Sequence, residues 1–202
     1  MKIELHLHTN RYSQCALNTP EEMISRLVKL GYDAVFLTEH DAVWDEKELE
    51  ELQGQFPLIK IFPGLELTLH NERGFCHLLI LGTKDPTFLE MTDAGAVLGH
   101  AHRQGHLTVL AHPFRWDGAS EIVAQGYYPD AMEYHSPNQD ALQADMSRES
   151  AERLHLPLVN SGDAHGVDFL GRFWIETPHP VDSAGSLRRM ILDGNYKNCT
   201  GI

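Results

Sequence analysis

Cysteine is scarce in this 202-residue sequence, which contains only Cys15, Cys76 and Cys199. The three residues are widely spaced and form no CxxC pair, so neither a disulfide framework nor a cysteine zinc site is predicted. No apolar run is long enough to span a bilayer, and the first residues lack the hydrophobic stretch of a secretory signal. These absences predict a reduced, cytoplasmic protein without a membrane segment.

Positive charge is also in short supply. Lysine and arginine total 16 against 29 aspartates and glutamates, which gives a formal net charge of -13. Such an acidic chain lacks the broad basic surface that binds long nucleic acid or anionic membranes, so neither is an expected partner. A small positive pocket stays compatible with this balance, because bound cations can invert the local field. The length and a hydrophobic content of 42% suit a single globular domain.

Short apolar runs alternate with helical patterns along the whole chain. The clearest helix start has Thr19 as N-cap, Pro20 at the first helical position and Glu22 closing a capping box. One long helix is predicted over residues 87–104. Strands that alternate with helices indicate βαβ units and a parallel sheet. Seven or eight such units predict a barrel, in which some helices must be short because the chain is short.

Histidine is unusually abundant, with 13 residues, and many of them follow predicted strands. In a parallel barrel the carboxyl ends of the strands collect the functional side chains. Residues two apart in an extended segment share a face, so His6 with His8, and Asp163 with His165, direct two ligands the same way. Burying so many titratable groups together is costly without a cation. The sequence therefore predicts a polynuclear site for Zn, Mn or Fe. The predicted ligands are His6, His8, His40, Glu66, His77, His112, Asp163 and His165.

Six motifs at these positions resemble, in order, those of the PHP family, the polymerase and histidinol phosphatase domain. They are His6-Leu7-His8-Thr9, Thr38-Glu39-His40-Asp41, Gly64-Leu65-Glu66, His77-Leu78-Leu79-Ile80-Leu81-Gly82, Ala111-His112-Pro113 and Ser161-Gly162-Asp163-Ala164-His165. The resemblance implies a distorted (β/α)7, TIM-like barrel that forms one domain over residues 1–202. It also implies a centre of two or three divalent metal ions at the carboxyl face of the barrel.

The resemblance also implies how the ligands are shared. One ion would be held by His6, His8, Glu66 and Asp163, and a second by Glu66, His77 and His112, with Glu66 as the bridge. A third would be held by His40 and His165. Family members with a full third site often carry another histidine in the loop after the first motif. Residues 10–15 contain none, so the third ion has fewer ligands here.

Most stand-alone members of that family are phosphoesterases, and the expected reaction is hydrolysis of a small phosphomonoester by metal-activated water. The substrate would be a phosphorylated metabolite or a nucleotide. The predicted catalytic residues are His40, Asp163 and His165. Arg11 and Arg172 are predicted to clamp the phosphate and His135 to contact the substrate, with Arg115 ranked behind them.

Three other functions stay open. The same barrel and ligands serve metal-dependent hydrolysis of amides or lactones. A nuclease is a further alternative, although the acidic balance argues against long nucleic acid. Outside enzymes, the chain could be a regulatory domain of the same family that lacks turnover, but a set of intact ligands argues against that role.

Overall fold

The computed structural model describes residues 1–201, without the side chains at positions 120 and 121, and this part of the chain contains nine strands and six α-helices. The strands are β1 Lys2–Glu4, β2 Ala34–His40, β3 Lys60–Asn71, β4 Gly74–Leu81, β5 Leu107–Ala111, β6 Ala131–Glu133, β7 Leu158–Val159, β8 Phe173–Glu176 and β9 Lys197–Thr200. The helices are α1 Pro20–Lys29, α2 Glu46–Gln55, α3 Ala94–Gln104, α4 Gly118–Ala124, α5 Ala141–Leu154 and α6 Ala184–Leu192.

All nine strands belong to one sheet, in the order β7-β6-β5-β4-β3-β2-β1-β8-β9. The sheet curls until its edges nearly meet. A parallel bridge joins Leu7, just beyond β1, to Ala164, just beyond β7. Asn198 of β9 reaches across the remaining gap, donating to the carbonyl of Leu158 at 2.8 Å and accepting from the amide of Asn160 at 2.7 Å. The predicted α/β barrel of a single domain is therefore confirmed.

The predicted parallel sheet has two exceptions, β4 and β8. β4 runs antiparallel to both β3 and β5, and β8 runs antiparallel to β1 and β9. Only residues 72 and 73 separate β3 from β4, and a parallel neighbour needs a crossover of about a dozen residues or more. Because β4 is reversed, His77 near its start pairs with Thr68 and Ala111. This reversal carries His77 to the same end of the barrel as the carboxyl ends of β3 and β5.

Local signals set most helix boundaries. The capping box at α1 is present, since Thr19 accepts from the amide of Glu22 and Glu22 accepts from the amide of Thr19. The long helix predicted over 87–104 is split into a 3-10 turn, Pro86–Glu90, and α3. The split occurs because the Asp93 carboxylate caps the amide of Ala96 at 2.7 Å and starts a new helix. Within residues 1–201, no helix has the length and apolarity that crossing a membrane requires.

The main hydrophobic core lies on the barrel side of the sheet, where strand residues such as Phe36, Leu79 and Val109 pack against Leu187 and Ile191 of α6. His77 shares a face of β4 with Leu79, because residues two apart in a strand point the same way. The apolar core thus continues directly into the polar residues at the carboxyl end of the barrel. Two further apolar clusters pack the helices against the outer face of the sheet.

Candidate metal centre

The bridge that closes the barrel also brings together four of the predicted ligands. Its hydrogen bonds run from the amide of His8 to the carbonyl of Ala164 at 3.0 Å, and from the amide of Ala164 to the carbonyl of His6 at 3.2 Å. His6 and His8 flank the bridge on one strand, and Asp163 and His165 flank it on the other. Two pairs of side chains separated by more than 150 residues are therefore aligned by a single backbone contact.

Glu66 occupies the centre of the cluster and is fully buried. Its two oxygens face different imidazoles. Oε2 lies 3.2 Å from His6 Nε2, 3.1 Å from His8 Nε2 and 3.0 Å from His40 Nδ1. Oε1 lies 2.8 Å from His77 Nδ1 and 3.1 Å from His112 Nε2. A carboxylate placed between two sets of nitrogen atoms has the arrangement of a bridging ligand.

Asp163 forms the opposite wall of the cluster. Its Oδ1 lies 3.5 Å from His6 Nε2, 3.4 Å from His8 Nε2 and 3.5 Å from His165 Nδ1. The Nδ2 group of Asn138 donates to Oδ2 at 2.6 Å and so holds the carboxylate in this orientation. His8 is stacked between the rings of His40 and His165, with centroid distances of 4.3 and 4.2 Å.

Two residues of the cluster have a left-handed backbone, which non-glycine residues adopt at a cost. The φ angle is +27° at His112 and +38° at Asp163. Strain of this kind is typical of functional sites, where the surrounding structure enforces it. Here the amide of His112 donates to the buried carboxylate of Glu133 at 2.7 Å, and the amide of Gly162, beside Asp163, donates to Glu4 at 2.6 Å.

Gly162 has a specific steric role beside Asp163. A Cβ atom at this position would lie 2.4 Å from Oε2 of the buried Glu4 carboxylate. We expect Gly162→Ala to lower the free energy of unfolding by about 1–3 kcal/mol, because a well-packed interior cannot accommodate the added carbon. Urea denaturation measures the change.

Gly54→Ala provides the control for this substitution. Gly54 lies in α2, and a Cβ atom added there would have no heavy atom within 4 Å. Alanine there is expected to stabilise the helix by about 0.5–1 kcal/mol. Equal stability of Gly162→Ala and the wild-type chain would show that Glu4 yields without cost and that the steric argument is mistaken.

The pKa values of the cluster indicate that its buried carboxylates are stabilised by positive charge. Burial opposes a charge on His6, but Asp163 and Glu66 outweigh it and hold the pKa of His6 well above its usual range. Burial also opposes a charge on His8, but Asp163 and Glu66 outweigh it and raise the pKa of His8. Burial alone would raise the pKa values of Glu66 and Asp163. The charge of His6 outweighs burial and keeps both pKa values low. Burial, followed by the charge of His8, lowers the pKa of His165 to about 4.

The donor atoms fit divalent cations. Three groups have ligand atoms within 4.8 Å of one another: His6, His8 and Asp163; His8, His40 and His165; and His40, Glu66 and His77. Glu66 Oε2 is buried and has no hydrogen-bond partner in the described part of the chain, although three imidazole nitrogens surround it. Nitrogen and carboxylate donors without thiolate suit Zn, Mn or Fe. A cation would coordinate an oxygen that accepts no hydrogen bond in the described part of the chain.

A cavity of about 320 Å³ opens onto the cluster. The side chains that line it are Cys15, His40, His77, His112, Arg115, Trp116, Asn138, Asp163, His165 and Phe169. The ring of Trp116 packs edge to face against His77 and His112, each at 5.0 Å between centroids. The guanidinium of Arg115 lies 4.6 Å from the centre of that ring. The cavity therefore combines the predicted ligands with the aromatic ring of Trp116 and the positively charged guanidinium of Arg115.

Three residues predicted to bind the substrate are not among the side chains that line this cavity. The guanidinium of Arg11 pairs with Glu48 and lines a separate cavity. Arg172 is exposed and stacks on the ring of Phe169. His135 packs its ring against Phe173 of β8 at 5.6 Å. A position in a strand-end loop fixes where the backbone lies but not where a long side chain points. Of the arginines considered, Arg115 is the one that lines this cavity, and the roles expected of the other three residues stay predictions.

Other residues of the site were not predicted. Asn138 follows β6 by a few residues, and extending the strand-end rule into that loop would have identified it. Glu133 ends β6, and its contacts with His6 and His112 depend on tertiary packing that no local sequence pattern indicates. Cys15 lies in the loop where the expected histidine is missing, and the structure places it in the cavity lining.

Similar solved structures share the fold at low sequence identity. The first is a two-domain protein from Bacteroides vulgatus that contains a predicted PHP-like metal-dependent phosphoesterase, with a TM-score of 0.76 and 18% identity. The match covers 99% of this chain but only 64% of that protein. PsfC from Pseudomonas syringae gives a TM-score of 0.68 at 18% identity, covering 99% of this chain and 91% of PsfC.

An amidohydrolase from Chromobacterium violaceum, whose structure contains sulfate and no metal, gives a TM-score of 0.64 at 16% identity. That match covers 82% of this chain and 88% of the amidohydrolase. A comparison with curated proteins found no match. The family assignment rests on the sequence, because the family model described as "PHP domain" matches residues 4–199. The chain belongs to the PHP domain family.

Proposed function

We propose that this protein is a metal-dependent phosphoesterase that hydrolyses a small phosphomonoester, either a phosphorylated metabolite or a nucleotide. The observation that carries the proposal is the position of Glu66, whose two oxygens face two separate sets of histidines. Membership of the PHP domain family supports it. Two or three divalent cations, drawn from Mn, Fe and Zn, are the proposed cofactors.

Cations held by the cluster would lower the pKa of a bound water and neutralise the charge on the phosphoryl oxygens. The protein's own groups supply the remaining functions. Asp163 is ionised, and Asn138 holds its Oδ2 so that Oδ1 faces the ligand cluster, where a carboxylate with a lowered pKa would help to hold a cation. A pKa of about 4 keeps His165 neutral near pH 7 in the cation-free protein, so a lone pair of its ring is available to bind a cation. His40 and His165 line the cavity where the leaving group would depart.

The cavity favours a small anionic substrate. Its volume of about 320 Å³ is at the lower end of the range for small-molecule sites, roughly 300–1,000 Å³. Arg115 offers a planar fork of donors that matches phosphate. Trp116 beside it provides an apolar surface for the carbon part of the substrate. The net charge of -13 gives no support to a long nucleic acid as the partner.

A substrate screen with the metal-reconstituted chain tests the proposal. Turnover of an aryl phosphate or of members of a phosphometabolite panel, dependent on added Mn²⁺, is the expected result. Activity toward amides or lactones without activity toward phosphates would assign the site to the alternative hydrolase chemistry. Bound metal without turnover of any of these classes would instead favour a regulatory domain.

Arg115→Met is expected to raise the KM for an aryl phosphate by about 10- to 100-fold. Hydrogen bonds to charged groups contribute about 1.5–3 kcal/mol, and each 1.4 kcal/mol corresponds to a factor of about ten. Steady-state kinetics with saturating Mn²⁺ measures the effect. Arg11→Met is the matched control, since Arg11 lines the separate cavity, and it should leave KM within about twofold of the wild-type value. The same change in both variants would mean that Arg115 has no specific contact with phosphate.

A further inference from the structure

Glu133 lies at the end of β6, beneath the ligand cluster, and its side chain is fully buried. Its carboxylate contacts three segments that carry ligands. Oε1 is 3.1 Å from Nδ1 of His6 and also accepts from the hydroxyl of Ser161. Oε2 accepts from the backbone amide of His112 at 2.7 Å. One side chain thus contacts the elements after β1, β5 and β7.

The contact with His6 fixes which nitrogen of that ring can bind a cation. A carboxylate oxygen accepts a hydrogen bond and cannot donate one, so Nδ1 of His6 must carry the proton. In the neutral ring that binds a cation, Nε2 then carries the lone pair, and it faces His8, Glu66 and Asp163, all within 3.5 Å. Carboxylates that hold ligand histidines in this way are typical partners at metal sites.

The contact with His112 affects the side of the cluster that faces Oε1 of Glu66. His112 has a φ angle of +27°, and the bond from its amide to Glu133 helps to hold that strained backbone. In this conformation its Nε2 lies 3.1 Å from Oε1 of Glu66. His6 faces Oε2 of the same carboxylate. Glu133 therefore holds one ligand on each side of the bridging residue.

From this geometry we infer that Glu133 is a positioning residue that couples the two cation sites on either side of Glu66. Removing its carboxylate should weaken both sites together, although Glu133 belongs to neither. The inference rests on the metal-binding part of the proposed function and is independent of which bond the protein hydrolyses.

Glu133→Gln tests this coupling in the full-length chain. Glutamine has a single accepting oxygen, so it cannot accept from both His6 Nδ1 and the amide of His112, and the anchor shared by the two sites is lost. Where its NH2 group faces His6, it would donate to Nδ1, move the ring proton to Nε2 and block that ligand atom. Titration with Co²⁺ alone, followed by calorimetry and by visible absorption, is expected to show both cations bound about 10- to 100-fold more weakly. A shifted Co²⁺ spectrum is also expected, which a merely structural defect would not produce.

Asp130→Asn is the matched control. Asp130 immediately precedes β6, is buried, and accepts from the amide of Thr108 and from Arg188 at 2.7 Å. This variant should lose stability but keep the Co²⁺ affinity and spectrum of the wild type. If Glu133→Gln does not fold, Glu133→Asp takes its place, because a carboxylate shortened by one carbon cannot hold His6 and His112 together.

Wild-type affinity at both sites in the folded variant, or weakening of one site alone, would overturn the coupling. A wild-type chain that binds fewer than two Co²⁺ ions would overturn it as well. If only the phosphatase screen fails, this titration still decides whether Glu133 couples the two sites, because it uses no substrate.

Discussion

Replacing Glu66 with glutamine is expected to abolish tight cation binding and, with it, hydrolysis. The substitution keeps the size of the side chain but removes the charge on which five imidazoles converge. It also introduces an amide group that donates toward one of the two sets of nitrogens. Removing one partner from a buried charge pair costs about 3–5 kcal/mol. At about 1.4 kcal/mol per factor of ten, this cost predicts a fall of about 10²- to 10⁴-fold in cation affinity and in kcat/KM.

Elemental analysis after extensive dialysis gives the cation content of Glu66→Gln, and aryl phosphate kinetics gives its activity. Asp130→Asn serves again as a buried carboxylate outside the cluster, and it should keep the wild-type cation content. Retention of the full cation content by Glu66→Gln would show that this carboxylate is not the bridge and would remove the main support for the proposed function.

The place where the predicted ligands converge could be predicted from the sequence, because it depends only on the topology of the barrel. Carboxyl ends of parallel strands meet at one end of a barrel whatever the details of packing. His6, His112 and Asp163 each follow a strand, so their convergence required only the correct order of elements. His77 lies at the same end of the barrel for a different reason. β4 is antiparallel to its neighbours, so its amino end lies there. His77 therefore lies beside Glu66 although β4 is not the parallel strand that the pattern predicted.

Side-chain direction could not be predicted in the same way. Arg11 was expected to bind substrate, but its partner Glu48 lies 37 residues away on α2, and nothing local to Arg11 indicates that pairing. The closing contact of Asn198 with β7 and the bonds made by Glu133 are likewise long-range. Local patterns thus indicate the elements and the end of the barrel where the predicted ligands lie, while tertiary contacts determine which polar side chains enter the cavity.

The cation-free protein is expected to lose stability as the pH rises above neutrality. The pKa values of His6 and His8 are higher in the folded chain than the ordinary value of about 6.5. Their charge therefore contributes stability that is complete below about pH 6.5 and disappears as the pH rises through their folded pKa values. Glu66 and Asp163 have lowered pKa values, so their contribution is lost only as the pH falls into strong acid. Above neutrality, deprotonation of the histidines leaves these two buried carboxylates without a counter-charge.

Cations should remove this dependence, because they supply the positive charge that the histidines otherwise carry as protons. Thermal melting between about pH 6 and about pH 9, with EDTA or with Mn²⁺, measures both effects. At a cation concentration of about 100 times Kd the stabilisation is about 2.7 kcal/mol, or about 5–10 °C for a chain of this length. The difference between the EDTA and Mn²⁺ curves is expected to widen as the pH rises.

His100→Gln is the appropriate control, because His100 bonds to Asp85 outside the cluster and its loss should leave that widening unchanged. His6→Gln should remove most of it, since the substitution deletes the group that carries the proton. Curves that stay parallel across the whole range would mean that protonated histidines do not balance Glu66 and Asp163. The cluster would then be held together by its packing and backbone contacts alone, and cation binding would release no protons from it.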